Sequence, residues 1–288
     1  MRHRLTALLA VLLVISASGP VVAATTVTTP TGQESTPQCT YPLTMTDARG
    51  AQVTIESEPE SVVTLYPGDA QLAYSIGAED NVVGMPISEY TASLDAGDRT
   101  DITRDDGVTP IAEQIVALDP DVVLAANIAT YNQALLETLE DAGITVVVLE
   151  TANSLDDVRE NVRVTGQITG HCASAAETID WMDARLETYE TALEGQETPL
   201  AYYAGGKNGQ THGSETFQHD VMTAAGLENL AAEAGETGWV RLDSEVVVDD
   251  DPAWIVYPDR TDSPPMASQF AATTAIESEN TVAVDDNA

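Results

Sequence analysis

Between residues 61 and 149 short apolar runs alternate with helical segments, and no other feature constrains the fold as tightly. The runs at 61–65, 82–83, 121–125 and 145–149 read as buried strands. Asp69 can cap a helix that stops at Gly77. Thr109-Pro110 starts another, with proline in the first turn where no amide partner is lost. A third helix, 131–142, closes at Gly143. Strand and helix in such alternation imply an α/β fold, a parallel sheet flanked by helices. A strand–turn–strand at 43–45 and 53–55 precedes it. After Pro199 the texture returns: strand 200–204, a glycine-rich loop, helix 217–225 stopped by Gly226, and strand 254–257.

The middle of the chain is helical. Ser154 with Asp157 opens one helix, which ends around 166–170, and Ser174 with Glu177 forms a capping box for a longer one. In the longer helix Ile179, Met182, Leu186, Tyr189 and Leu193 form one apolar stripe, about 20 residues and roughly 30 Å long, expected to pack in the core. An internal echo spans the two α/β stretches. Glu113 opens E-Q-I-V-A-L-D-P-D-V-V-L, and Glu245, 132 residues later, opens E-V-V-V-D-D-D-P-A-W-I-V. The echo aligns helix, turn and strand together, so it predicts two similar lobes. The expected plan is a leader (1–24), a Thr/Pro-rich linker (25–40), an N-terminal α/β lobe (41–170), a connecting helix (171–196) and a C-terminal α/β lobe (197–288).

Charge narrows the function. The chain carries 47 acidic and 11 basic side chains, a formal net charge of −36, and Lys207 is its only lysine. That excludes nucleic acid as a partner, because nothing here could displace counterions from phosphates, and it disfavours anionic lipid. A dispersed acid excess with almost no lysine fits a surface kept hydrated in high salt. Residues 1–24, with Arg2 and Arg4, an apolar run at 5–15 and small residues at 21–23, read as a secretory leader. No cysteine follows that run to carry a lipid, and the body is expected to be soluble and extracellular. Cys39 and Cys172 are either one disulfide, which an oxidising compartment favours, or two buried thiols.

No catalytic set emerges. There is no G-x-S-x-G elbow, and Gly206-Lys207-Asn208 lacks the flanks of a phosphate loop. No histidine pair has metal-ligand spacing, so no resident metal or cofactor is expected. Loop chemistry stands out instead, because loops at the carboxyl ends of strands line the crevice of open α/β sheets. Tyr66, Pro67 and Gly68 follow one strand, Tyr90 another, and Asn127 to Tyr131 a third. Lys207 and Asn208 lie in the glycine-rich loop, and Phe217 begins the helix after it. Lys207 fits either a functional loop or a solvated turn. Trp239 fits either a core position or the cleft; Arg241 beside it favours the cleft and a large, partly anionic ligand.

The runs T-D-A-R-G-A-Q-V-T-I from Thr46, S-V-V-T-L-Y-P-G-D-A-Q-L-A-Y-S-I-G from Ser61, P-I-A-E-Q-I-V-A-L-D-P-D-V-V-L from Pro110 and W-V-R-L-D-S-E-V-V-V-D-D-D-P-A-W-I-V from Trp239 resemble the iron-siderophore and cobalamin binding proteins of ABC importers, in their haloarchaeal form. The resemblance covers about residues 44–288. It implies two lobes joined by one rigid helix, a metal chelate held between them, and an ABC permease with its ATPase as partners of a monomer. It also implies that Glu113 and Glu245 dock onto permease arginines; read alone, both are equally helix-start acids. Relatives continue past the segment matching 281–284 with a helix, a stalk and a membrane anchor, so the chain reads as truncated, its anchoring at the extracellular face implied by the resemblance alone. A secreted α/β hydrolase and a sensory or adhesive surface module are the alternatives.

Overall fold

The computed structural model describes residues 37–126 and 132–285. The predicted leader, the linker up to residue 36, and both Asn127 and Tyr131 fall outside the described residues.

The first half starts with an antiparallel hairpin, β1 (Leu43–Thr46) and β2 (Gln52–Ile55). The Asp47 carboxylate organises its turn, accepting from the Arg49 and Ala51 N–H groups and pairing with the Arg49 guanidinium. There follow β3 (Val62–Thr64), α1 (Pro67–Ser75), β4 (Val82–Met85), β5 (Thr100–Asp101), α2 (Ala112–Leu118), β6 (Val122–Leu124), α3 (Gln133–Asp141) and β7 (Thr145–Val147). The strands form one parallel sheet in the order β5-β4-β3-β6-β7. Period-2 geometry divides its residues between two faces. Val63, Leu65 and Val123 pack with Ile115 and Leu136 from α2 and α3, while Val62, Val122 and Leu124 pack on the opposite face with Ile168.

Two details differ from the sequence expectation. Tyr66, not Asp69, occupies the cap of α1, and Asp69 is the third helical residue. Pro110 precedes α2 by two residues and pairs as an isolated bridge with Thr103, so the helix starts later than proline signalled.

A helical hairpin links the halves: α4 (Leu155–Thr169) and α5 (Cys172–Leu193). Ser154 caps α4 as expected, accepting from the Asp157 N–H at 3.1 Å. The capping box at Ser174 and Glu177 does not form, because α5 already starts at Cys172 and both residues are helical. α4 closes on left-handed Gly170 (φ 82°), inside the expected 166–170, and not on Gly166. Gly166 lies inside the helix where α5 crosses, and a Cβ there would sit 2.4 Å from that of Ala175. The stripe on α5 is only partly core. Ile179 packs against the buried cluster around Val162, but Tyr189 is 54% exposed. Leu186, Tyr189 and Leu193 instead line an open apolar groove of about 410 Å³ with Leu155 and Val221. Cys39 and Cys172 are bonded, with Cα atoms 5.5 Å apart, tying the chain before β1 to the start of α5.

The second half contains β8 (Leu200–Tyr203), β9 (Gln210–His212), α6 (Phe217–Ala224), β10 (Glu228–Asn229), α7 (Leu230–Glu233), β11 (Trp239–Arg241), α8 (Ser244–Asp250), β12 (Trp254–Pro258), α9 (Thr274–Glu277) and β13 (Thr281–Val284). Its main sheet is parallel, in the order β10-β8-β12-β13, matching β4-β3-β6-β7 strand for strand. The sequence echo thus has a structural counterpart. In each half a seven-residue helix beginning one residue before the glutamate ends on a left-handed aspartate, Asp119 (φ 48°) or Asp251 (φ 46°), followed by proline and a central strand. Aspartate is among the few residues that enter this conformation readily, and proline after it prevents the helix from continuing. No helix among the described residues is long and apolar enough to cross a membrane.

Candidate functional site

In the first sheet the chain leaves β3 toward β4 on one side and later returns to β6 on the other, so the carboxyl ends of β3 and β6 flank a switch point. Such a crevice is where open α/β sheets receive ligands. Tyr66 follows β3 there and is exposed, Pro67 is buried as the first residue of α1, and Gly68 is half-buried. Tyr90 sits exposed in a short helical turn after β4, and the Gln71 side-chain amide on α1 reaches its carbonyl at 3.5 Å. One helix therefore brings together the Tyr66 turn and Tyr90.

Below them lies a group whose full role the sequence did not disclose. Asp69 is completely buried. Its carboxyl accepts the Tyr66 N–H at 3.2 Å and the Ala126 N–H at 3.1 and 3.2 Å, so it spans the ends of β3 and β6. Burial pushes it up to about 7, against the pull of the two N–H donors. Its aspartate-in-first-turn position was legible as a helix-start signal, but a contact to a residue 57 positions away has no local signature.

In the second half the glycine-rich loop is not wholly loop. It turns at Gly209 and runs into β9, which pairs with β11 as a two-stranded antiparallel ribbon, Trp239 opposite His212 and Arg241 opposite Gln210. Gly209 has φ 69°, and a Cβ there would fall 2.3 Å from the Leu242 carbonyl oxygen, so the ribbon closes only around glycine. Lys207 and Asn208 stand exposed in the turn before β9. Trp239 and Arg241 alternate on one face of β11, and Trp239 is 68% exposed, which removes its core reading. Lys207 and Arg241 make no ion pair among the described residues. The structure thus gathers Lys207, Asn208, Trp239 and Arg241 on one ribbon, while Phe217 stands half-buried at the start of α6.

Beneath Trp239 is His212, buried and unpredicted as a site element. Its ring meets that of Trp239 edge-on at 4.2 Å and that of Tyr203 at 4.9 Å. Its Nδ1 has no hydrogen-bond partner among the described residues, and burial holds the imidazole down to about 4, neutral at ordinary pH. The signal available was the pairing of alternations, Gln210-Thr211-His212 with Trp239-Val240-Arg241, hidden by the glycines around the first. Glu113 and Glu245 are both exposed, each the second residue of its helix.

Residues 62–285 match the periplasmic binding protein family. The chain belongs to that family. A cobalamin-binding protein of Halobacterium salinarum is 37% identical over 261 residues, which is 86% of this chain and 69% of the relative. An ABC transporter substrate-binding lipoprotein of Bacillus subtilis is 27% identical, over 76% of this chain and 70% of its own. Among solved structures, the periplasmic heme-binding protein of Vibrio cholerae superposes with a TM-score of 0.68 at 19% identity, covering 79% of this chain and 90% of that one. The periplasmic vitamin B12-binding protein of the same organism gives 0.66 at 19% identity, covering 80% and 89%. At those identities the structures establish the fold, and the family's two-sheet plan is the one described above.

Proposed function

We propose that this chain is the extracellular capture subunit of an ABC importer for a cobalamin-like metal chelate, and not an enzyme. The observation that carries the reading is the ribbon. It shows an exposed indole backed by the His212 ring, which in turn meets Tyr203, with Lys207 and Arg241 on the same ribbon and its turn, neither ion-paired among the described residues, in a chain of net charge −36. An exposed aromatic face suits a broad, largely apolar macrocycle, and flanking cations suit phosphate or carboxylate groups on its rim. The Halobacterium relative points to the corrinoid member of this ligand class. The ligand lies between Tyr66 and Tyr90 on one side and the Trp239 ribbon on the other. It is the cargo, and the protein supplies no metal of its own. Titration with cyanocobalamin, a ferric hydroxamate and hemin tests the reading. The corrinoid binds most tightly, and Arg241→Ala weakens it by about 1.5–3 kcal/mol, the cost of a charge-assisted contact. Equal affinity in wild type and variant removes Arg241 from the site.

Glu113 and Glu245 serve as the permease-docking pair. Each opens the equivalent helix of its half, so the near-repeat presents them as matched acids. A single exposed ion pair adds only about 0–1 kcal/mol, and salt reduces it further, but two can fix orientation on a partner. The double substitution Glu113→Arg, Glu245→Arg leaves chelate affinity unchanged and abolishes uptake in cells. Normal uptake returns both to ordinary helix-start acids.

A further inference from the structure

We propose that Asp69 is the positioning residue of the first half: its buried carboxyl clamps the Tyr66 turn to the end of β6 and so fixes Tyr66 for ligand contact. The inference rests on the capture reading for the ligand, and on geometry for the clamp. A helix-capping aspartate would need only the Tyr66 N–H, three residues back. Asp69 also accepts the Ala126 N–H, shared between both oxygens, across 57 residues of chain. Those two donors come from the loops after β3 and β6, the two strands that flank the switch point. In many α/β sheets that crevice admits the ligand itself; here a protein side chain fills it from below and ties its two walls together.

The side chain is well matched to the task. Oδ2 accepts from both loops, at 3.2 Å from the Tyr66 nitrogen and 3.1 Å from that of Ala126, and Oδ1 shares the Ala126 N–H at 3.2 Å; asparagine keeps one such oxygen and turns its N–H₂ toward the Ala126 N–H. Among the described residues the carboxyl's state is set by burial, raising it, and by the Ala126 and Tyr66 N–H donors, lowering it. The clamp therefore depends on pH. Burial favours the neutral acid, so opening the clamp, which returns the carboxyl to water, becomes easier as the pH rises toward about 7, and Tyr66 is held less firmly there.

The test uses the full secreted chain in two readouts. Without ligand, the amide resonances of Tyr66 and Ala126 in the wild type titrate together with one midpoint near 7, and Asp69→Asn abolishes that shared titration and speeds exchange at the Ala126 amide about tenfold or more. With cyanocobalamin, wild-type affinity falls as the pH rises from about 5.5 to 8.5, and Asp69→Asn binds about tenfold more weakly with a flat profile. A structural residue alone would lower melting temperature without flattening the profile. Amides that titrate independently in the wild type, or an Asp69→Asn protein with the wild-type pH profile, overturn the proposal. The amide readout needs no ligand and no variant, so it decides the clamp even where cyanocobalamin fails to bind and the capture reading falls.

Discussion

Where β3 and β6 part in the first half, a buried carboxyl joins the strand ends; at the end of β8 in the second, the equivalent strand carries Tyr203 into a stack with His212 and Trp239. The two halves share a strand order and a helix–aspartate–proline element, yet they differ in what they offer a ligand. The first is braced. Asp69 clamps its crevice, Arg49 reaches both Asp47 and Glu140, and the disulfide ties its leading edge to α5. The second is presented. Its exposed indole and Arg241 ride on a three-residue ribbon closed around Gly209, with Lys207 in the turn that leads into it. Duplication supplies the scaffold, and the loops at the strand ends divide the work between holding and displaying.

The disulfide gives the largest expected break in this comparison. It closes a separation of 133 residues and lies wholly outside the second half. The chain-entropy argument assigns it about 5 kcal/mol, of which about 2–5 is typically realised. Replacing Cys39 and Cys172 by serine should therefore lower stability by that amount. Amide exchange should accelerate in β1, β2, α4 and α5 before the four-stranded sheet. Uniform acceleration across both sheets would mean that the bracing is shared.

The buried titratable groups sharpen the contrast, because they respond to pH with opposite sign. Asp69 holds its proton up to about 7 when folded and releases it near 3.8 when unfolded, so its contribution to stability is lost as pH rises through that window. His212 resists protonation down to about 4 when folded and accepts it near 6.5 when unfolded, so its contribution is lost as pH falls from 6.5 to 4. His212 contributes on the order of 3 kcal/mol at most. In the wild type the two partly cancel. Asp69→Asn should leave melting temperature falling more steeply toward acid, and His212→Phe, which keeps the ring stack, should leave it falling toward alkali. Parallel profiles for the two variants would sink the assignment.

Much of the fold was legible because it rests on local rules. Buried strands announce themselves as apolar runs, Gly77, Gly143 and Gly226 stop helices or follow their ends, and the echo around Glu113 and Glu245 marks the repeated element in the sequence itself. Boundaries failed where long-range packing overrides local signals. Ser174 and Glu177 have the spacing of a capping box, but the bond at Cys172 and the close crossing at Gly166 start α5 earlier. The candidate site was half legible. Tyr66, Lys207, Trp239 and Arg241 are loop or ribbon residues whose chemistry is visible in isolation. Asp69 and His212 matter through what buries them, and burial depends on partners distant in sequence.

The smallest expected change in folding stability is also the finest test of the display half. Trp239 loses little water-exposed area on folding, since 68% of it stays exposed. Its truncation to alanine should cost the fold only the edge-on contact with His212, about 0.5–1.5 kcal/mol. The same truncation uncovers His212. Desolvation is what holds that imidazole down to about 4, so its titration midpoint should climb back toward 6.5 once water reaches the ring. A ¹H titration of the His212 ring in wild type and Trp239→Ala measures this directly. Because the acid-side loss of stability has the same cause, it should shrink in step with the midpoint. The variant therefore becomes less pH-sensitive while becoming slightly less stable, a pairing that simple loss of packing does not produce. An unmoved midpoint would mean that Tyr203 and the sheet alone keep the ring dry, and that Trp239 does not shield His212 beneath it.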